Sequence, residues 1–132
     1  MKIFHRWGYS LMEIMLVVIV IGILAGISVP RMLAIVERSR GAEAREILYK
    51  AYAGYQRYVD DNTSTLPAAD NNKWSRLGMG NPNSLSGRFF NYTFSPGSSA
   101  NPTTVTATRQ GIAANQISIN LLTGAVTNTS PY

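Results

Sequence analysis

Hydrophobic positions in this chain follow three different patterns. From Ile14 to Val29 they are continuous: IMLVVIVIGILAGISV carries no charged residue. Counted from Tyr9 to Pro30 the segment has 22 residues. As a helix rising ~1.5 Å per residue it spans roughly 33 Å, enough for a bilayer core of ~30 Å. One charge sits at its start, Glu13. Residues 31–60 change to a helical period. With Ala44 at zero and ~100° per residue, Ile47, Leu48, Ala51, Tyr55, Tyr58 and Val59 fall within about 60° of it. Glu46, Lys50 and Arg57 fall on the opposite side. An amphipathic helix follows, with its apolar stripe turned to a core. Tyr49 points outward, open to a neighbouring copy.

The third pattern is alternation. Residues 61–87 are rich in Asn, Ser, Gly and Pro and read as a long connection, with a short helix over 72–77 whose Trp74 and Leu77 pin it to the core. From residue 88 the period is two. Arg88–Ser95 places Phe90, Tyr92 and Phe94 on one face. Thr103–Arg109 does the same for Val105 and Ala107, and Gln116–Leu122 for Ile117, Ile119 and Leu121. Thr123-Gly124 predicts a tight turn into a last strand over 125–129. The expected class is α+β: one long N-terminal helix and an antiparallel meander of three to four strands, its apolar face covered by the Ala44 stripe. The expected division is a basic leader over 1–8, a membrane segment over 9–30 and a globular domain over 31–132. The domain comprises a helix over 31–60, a loop over 61–87 and a sheet over 88–129. A chain starting at about Arg38 is expected to fold as a soluble monomer.

Composition narrows the function. Among 132 residues there is no Cys and one His, His5, and only 14% are charged. That leaves few groups for acid–base, thiolate or metal chemistry at neutral pH. Asp60-Asp61 reads as a solvated helix end. No catalytic, cofactor or metal site is expected. Net charge is +5, unevenly spread. Residues 71–132 hold Lys73, Arg76, Arg88 and Arg109 and no acid, whereas residues 9–70 hold six cations and seven anions. Three sequons, at Asn62, Asn91 and Asn128, are expected by chance in a chain so rich in Asn, Ser and Thr.

Gly8-Tyr9-Ser10-Leu11-Met12-Glu13-Ile14, the apolar run after it and Pro30 resemble the N-terminus of type IV pilins and type II secretion pseudopilins. The shared features are a basic leader ending in Gly, an aromatic residue after it, Glu as the fifth mature residue, and an unbroken apolar run closed by Pro. The resemblance covers residues 1–30 by motif and the remainder by layout alone. It implies cleavage between Gly8 and Tyr9 by a prepilin peptidase, a membrane aspartyl protease that also methylates the new amine of Tyr9. It implies partners as well: other copies and related pilins in a helical filament, an inner-membrane assembly platform, and the membrane before assembly. Glu13, Gly22, Gly26 and Pro30 are the assembly residues it implies. Tyr9 departs from the Phe usual in the family, and no C-terminal Cys pair is present.

The residues themselves carry physical consequences. A bare carboxylate in hydrocarbon costs ~2.5–3.5 kcal/mol on insertion scales and more on others, so Glu13 needs water or a cation. After cleavage the Tyr9 amine lies one helical turn away, and an axially shifted copy can offer the same amine. Gly22, Gly26 and Pro30 recur every four residues, giving both a small-residue packing face and a weak stretch of helix where Pro30 removes the bond to residue 26. The leading expectation is a subunit of a type IV pilus-like filament, in the inner membrane before assembly and extracellular after it. The alternatives are a minor pseudopilin and a DNA-binding competence pilin. A major pseudopilin with a C-terminal calcium site is disfavoured, because no Asp or Glu follows Asp70. An ordinary secretory signal, cleaved after Ser28, is opposed by Glu13 and the length of the run.

Overall fold

A computed structural model describes residues 8–61, 66, 70–95 and 102–129. The leader residues Lys2 and Arg6, and the sequon at Asn62, lie outside the described residues. The chain divides into two compact units, Met1–Val36 and Glu37–Tyr132. One helix, α1 (Leu11–Asp61), enters both, and it runs through Pro30 without interruption.

In the second unit α1 presents Gly41, Ala44, Leu48, Ala51, Gly54 and Tyr55 as its buried residues. Against them lies a four-stranded antiparallel sheet in the order β1 (Phe90–Ser95), β2 (Thr104–Arg109), β3 (Gln116–Asn120) and β4 (Val126–Asn128). The class is therefore α+β, with the expected meander. Its register pairs Phe94 with Val105, Val105 with Ile119, and Ile119 with Val126. Burial alternates along β1, because successive side chains point to opposite faces. Phe90, Tyr92, Phe94, Val105, Ala107, Ile117, Ile119 and Leu121 form the sheet's share of one core.

Val59 departs from the expected stripe. It is 44% exposed, although its azimuth on the helix is the core's. The buried part of α1 ends at Tyr55. A sheet with strands of five to six residues, each rising ~3.3 Å, covers about 12 residues of helix at ~1.5 Å each. The stripe outruns the surface that covers it. Tyr58 and Ile47 are half-buried at the margin of the core, and Tyr49 is exposed as expected.

The connection between α1 and β1 is pinned as its apolar residues require. The short helix α2 (Asp70–Arg76) buries Trp74, and Leu77 follows it into the core. Trp74 packs on Phe94 at 4.7 Å between ring centres and meets Tyr92 edge-on at 6.4 Å. Gly78, at φ +73°, ends α2: Met79 N donates to Trp74 O and Gly78 N to Ser75 O, the paired bonds of a Schellman cap. Gly54 lets this loop reach the helix, since a Cβ there would stand 2.5 Å from the carbonyl oxygen of Leu77. After a 3-10 turn over Pro82–Ser84, Asn83 bridges to β1. Its amide accepts from Tyr92 N at 2.8 Å and donates to Tyr92 O at 2.6 Å.

A charged clamp closes the unit at its first residues. Arg109, at the end of β2, donates to Glu37 through Nε at 2.6 Å and Nη2 at 3.4 Å. Arg40 donates to the same carboxylate at 3.1 Å. The two guanidinium groups lie 4.0 and 5.3 Å from the ring centre of Phe89, within cation–π range. The clamp fixes where a soluble chain must begin. A start at Arg38 deletes Glu37 and the shared carboxylate, whereas a start at Val36 keeps it. The longer chain is expected to be more stable by about 1.5–3 kcal/mol, the worth of hydrogen bonds to charged groups, as read by urea unfolding of the two.

Burial pushes the Tyr92 phenol up to about 12, and the carboxylate of Glu43 adds to the shift. The folded domain thus holds this proton more tightly than the unfolded chain, where tyrosine titrates near ~10. Its contribution to stability is complete below about pH 10 and falls by up to ~1.4 kcal/mol per pH unit between about pH 10 and pH 12. Urea midpoints taken on either side of that window measure the loss, and Tyr92→Phe flattens it.

Candidate functional site

The described residues of the first unit, 8–36, are exposed almost throughout. Gly8, Tyr9 and Ser10 precede the helix, so the Gly8–Tyr9 peptide bond lies outside the first helical turn. Ser10 starts α1 with its backbone: its carbonyl accepts from Glu13 N at 3.0 Å and Ile14 N at 3.2 Å. From Leu11 onward the helix is long and apolar enough to cross a membrane. Every large apolar side chain from Tyr9 to Ile35 is exposed, Tyr9, Leu11 and Met12 at 78–79%. A wholly apolar groove is lined by Met12, Met15, Leu16, Ile19 and Val20.

Glu13 lies in the first turn of α1. Among the described residues it forms no ion pair, and residues 8–30 contain no basic side chain. A carboxylate near the helix start is favoured by the backbone N–H groups exposed there, an effect of ~0.3–1 kcal/mol. That is too little to offset transfer into hydrocarbon. Gly22 and Gly26 have open space where a Cβ would be, with nothing within 4 Å. Packing inside the chain accounts for Gly54 and leaves these two unexplained. Glu13, Gly22, Gly26 and Pro30 thus lie on one exposed apolar helix, spaced as the sequence has them, without contacts that bring them together.

Comparison with family models, with curated proteins and with solved structures finds no match. The chemistry of the site therefore rests on this chain's own residues. Among the described residues no three His, Cys, Asp or Glu side chains group as metal ligands do.

The basic C-terminal half does not form a continuous positive surface. Lys73 is fully buried, with Nζ 5.5 Å from the Phe94 ring centre. Arg109 is held by Glu37. Arg88 donates to Asn91 Oδ1 and Leu85 O, and Arg76 is exposed. A nucleic-acid backbone needs several free cations along one track, and these four do not supply one.

Two features of the domain were not visible in the sequence. The Glu37–Arg109 pair joins residues 72 apart; only its local half, Glu37 with Arg40 three residues on, has a recognisable spacing. The burial of Lys73 likewise gave no signal, because α2 is too short for its period to assign faces.

Proposed function

We propose that this chain is a structural subunit of a type IV pilus-like filament, released from its leader between Gly8 and Tyr9 and assembled through residues 9–30. The observation that carries the reading is the helical segment itself. It exposes a membrane-length apolar surface with a single unpaired carboxylate at its start, and it continues into a folded α+β domain. Such a surface must be covered by lipid or by other helices. Copies of one chain can supply the second cover, and Gly22 and Gly26 let helices approach closely. The Tyr9 amine freed by cleavage, of the same copy or of an axially shifted one, is the cation that the side chains of residues 8–30 do not supply to Glu13. The long helix leading into an antiparallel meander is the layout expected of a pilin.

The test is processing followed by assembly. Intact-mass measurement of the protein from its native membrane should give a chain beginning at Tyr9, 132 − 8 = 124 residues, with one methyl group on its amine. Gly8→Val should leave the full-length chain. Shearing should then release fibres containing the shorter chain. A mature chain beginning at Val29 would instead mark residues 1–28 as a secretory signal.

A further inference from the structure

The helix face that points away from the core carries its charges unequally. With Tyr49 at zero and ~100° per residue, Arg38, Ala42, Arg45 and Asp60 all fall within about 40° of it, some 120° from the buried stripe. Arg38, Ala42, Tyr49 and Asp60 are exposed and Arg45 half-exposed. Two charge pairs form one turn apart on this helix, Glu37 with Arg40 and Glu46 with Lys50. Arg38, Arg45 and Asp60 form none, as Arg31, Glu43 and Asp61 form none, and the first three alone share the Tyr49 face of the folded domain. Arg38 and Arg45 have no acid three or four residues away on either side, and Asp60 faces Gln56 one turn back. The one basic neighbour of Asp60 at that spacing, Arg57, directs Nη2 to Leu77 O instead. Among the described residues none of the three takes part in an ion pair or side-chain hydrogen bond.

Arg38 and Arg45 stand seven residues apart, about 10.5 Å along the axis, with the methyl of Ala42 between them. Two guanidinium groups flanking a small side chain make a notch that a carboxylate can enter, accepting from both. We infer that this face joins copies of the chain head to tail, with Asp60 of one copy seated between Arg38 and Arg45 of the next. The axial offset that places Asp60 level with the middle of the notch is about 28 Å at ~1.5 Å per residue. An antiparallel pair would also match these charges, centred on Tyr49. Chains that carry the same apolar segment into one membrane run parallel, which leaves the staggered arrangement. The inference rests on the proposed filament for that parallel alignment. The occupant is a second copy because one face holds both halves of the complement.

A charge-preserving probe tests it. Sheared fibres of the full chain carrying Arg38→Lys and Arg45→Lys are treated with a zero-length carbodiimide, which joins an amine to a carboxylate only where they touch. The expected product is a ladder of covalent dimers, trimers and higher multimers, lost when Asp60→Asn is added and absent from Arg38→Gln/Arg45→Gln. No ladder, a ladder unchanged by Asp60→Asn, or dimers alone would overturn the head-to-tail contact. The fate of the filament reading is read separately, from sheared fibres of the unaltered chain. Fibres without the ladder remove this inference only, whereas an unaltered chain that yields no fibres removes that reading and, with it, this inference.

Discussion

A Glu13→Ala chain is expected to be cleaved and folded normally and to yield no filaments. The domain from Glu37 onward makes its core without residue 13, so folding has no reason to change. The proposed cleavage site, Gly8–Tyr9, lies ahead of the helix that holds Glu13. Assembly is different. In the proposed filament an incoming Tyr9 amine enters an apolar layer where the side chains of residues 14–29 offer no counter-charge. Removing the carboxylate leaves that amine without its partner, and breaking a desolvated pair costs ~3–5 kcal/mol. The loss recurs at every subunit contact. Glu13→Gln keeps the shape and one acceptor but not the charge, and is expected to assemble poorly. The measurement is the ratio of sheared fibre to membrane-bound subunit, each variant being the only copy and its cleavage confirmed by mass. A wild-type ratio for Glu13→Ala would mean that the glutamate lies idle at the membrane boundary.

Ile119→Ala is expected to remove a large share of the domain's stability. Ile119 is fully buried and lies on the third strand, between Val105 on one side and Val126 on the other. Strands on both sides limit how far the backbone can move inward to fill the space. Losing a buried aliphatic side chain at such a site costs ~2–5 kcal/mol, the upper part where relaxation is restricted. Small domains are stable by only ~5–15 kcal/mol, so a chain starting at Val36 and carrying this change should unfold at much lower urea. A loss below ~0.5 kcal/mol would contradict its burial, since changes that small belong to the surface. Leu122→Ala, at 62% exposure, is the matched control and should change little.

The order of elements was legible because each apolar pattern had one geometric solution. Alternation at Phe90, Tyr92 and Phe94 and at Ile117, Ile119 and Leu121 allowed only a sheet with one covered face. The Ala44 stripe was the sole large apolar surface able to cover it. The same logic placed Trp74 and Leu77 against the core. It failed at Val59 because a wheel projects azimuth and carries no information on where the opposing sheet ends. The clamp of Glu37, Arg40, Phe89 and Arg109 escaped because its partners come from α1 and from both ends of the β1–β2 hairpin, and no periodicity links them. By helix propensity alone Gly54 is a weak point in a helix. Its reason is a backbone oxygen 2.5 Å from where a Cβ would lie, and that oxygen belongs to a residue 23 positions later. Of the proposed assembly site, Glu13, Gly22, Gly26 and Pro30 were identified from residue type and spacing, and the single chain adds that nothing within it explains either glycine in the apolar run.

Asn83 has a consequence for crowding. A sheet's outer strand offers N–H and C=O groups to any extended segment that drifts alongside. Here the amide of Asn83 holds both backbone groups of Tyr92, at the middle of β1. One side chain thus acts as a stopper where a fifth strand would begin. At the opposite border β4 is only three residues long, too short a template for stable zippering. Pairing with a further strand is discouraged at both borders, so that in the proposed filament association would fall to the helices rather than to the sheets.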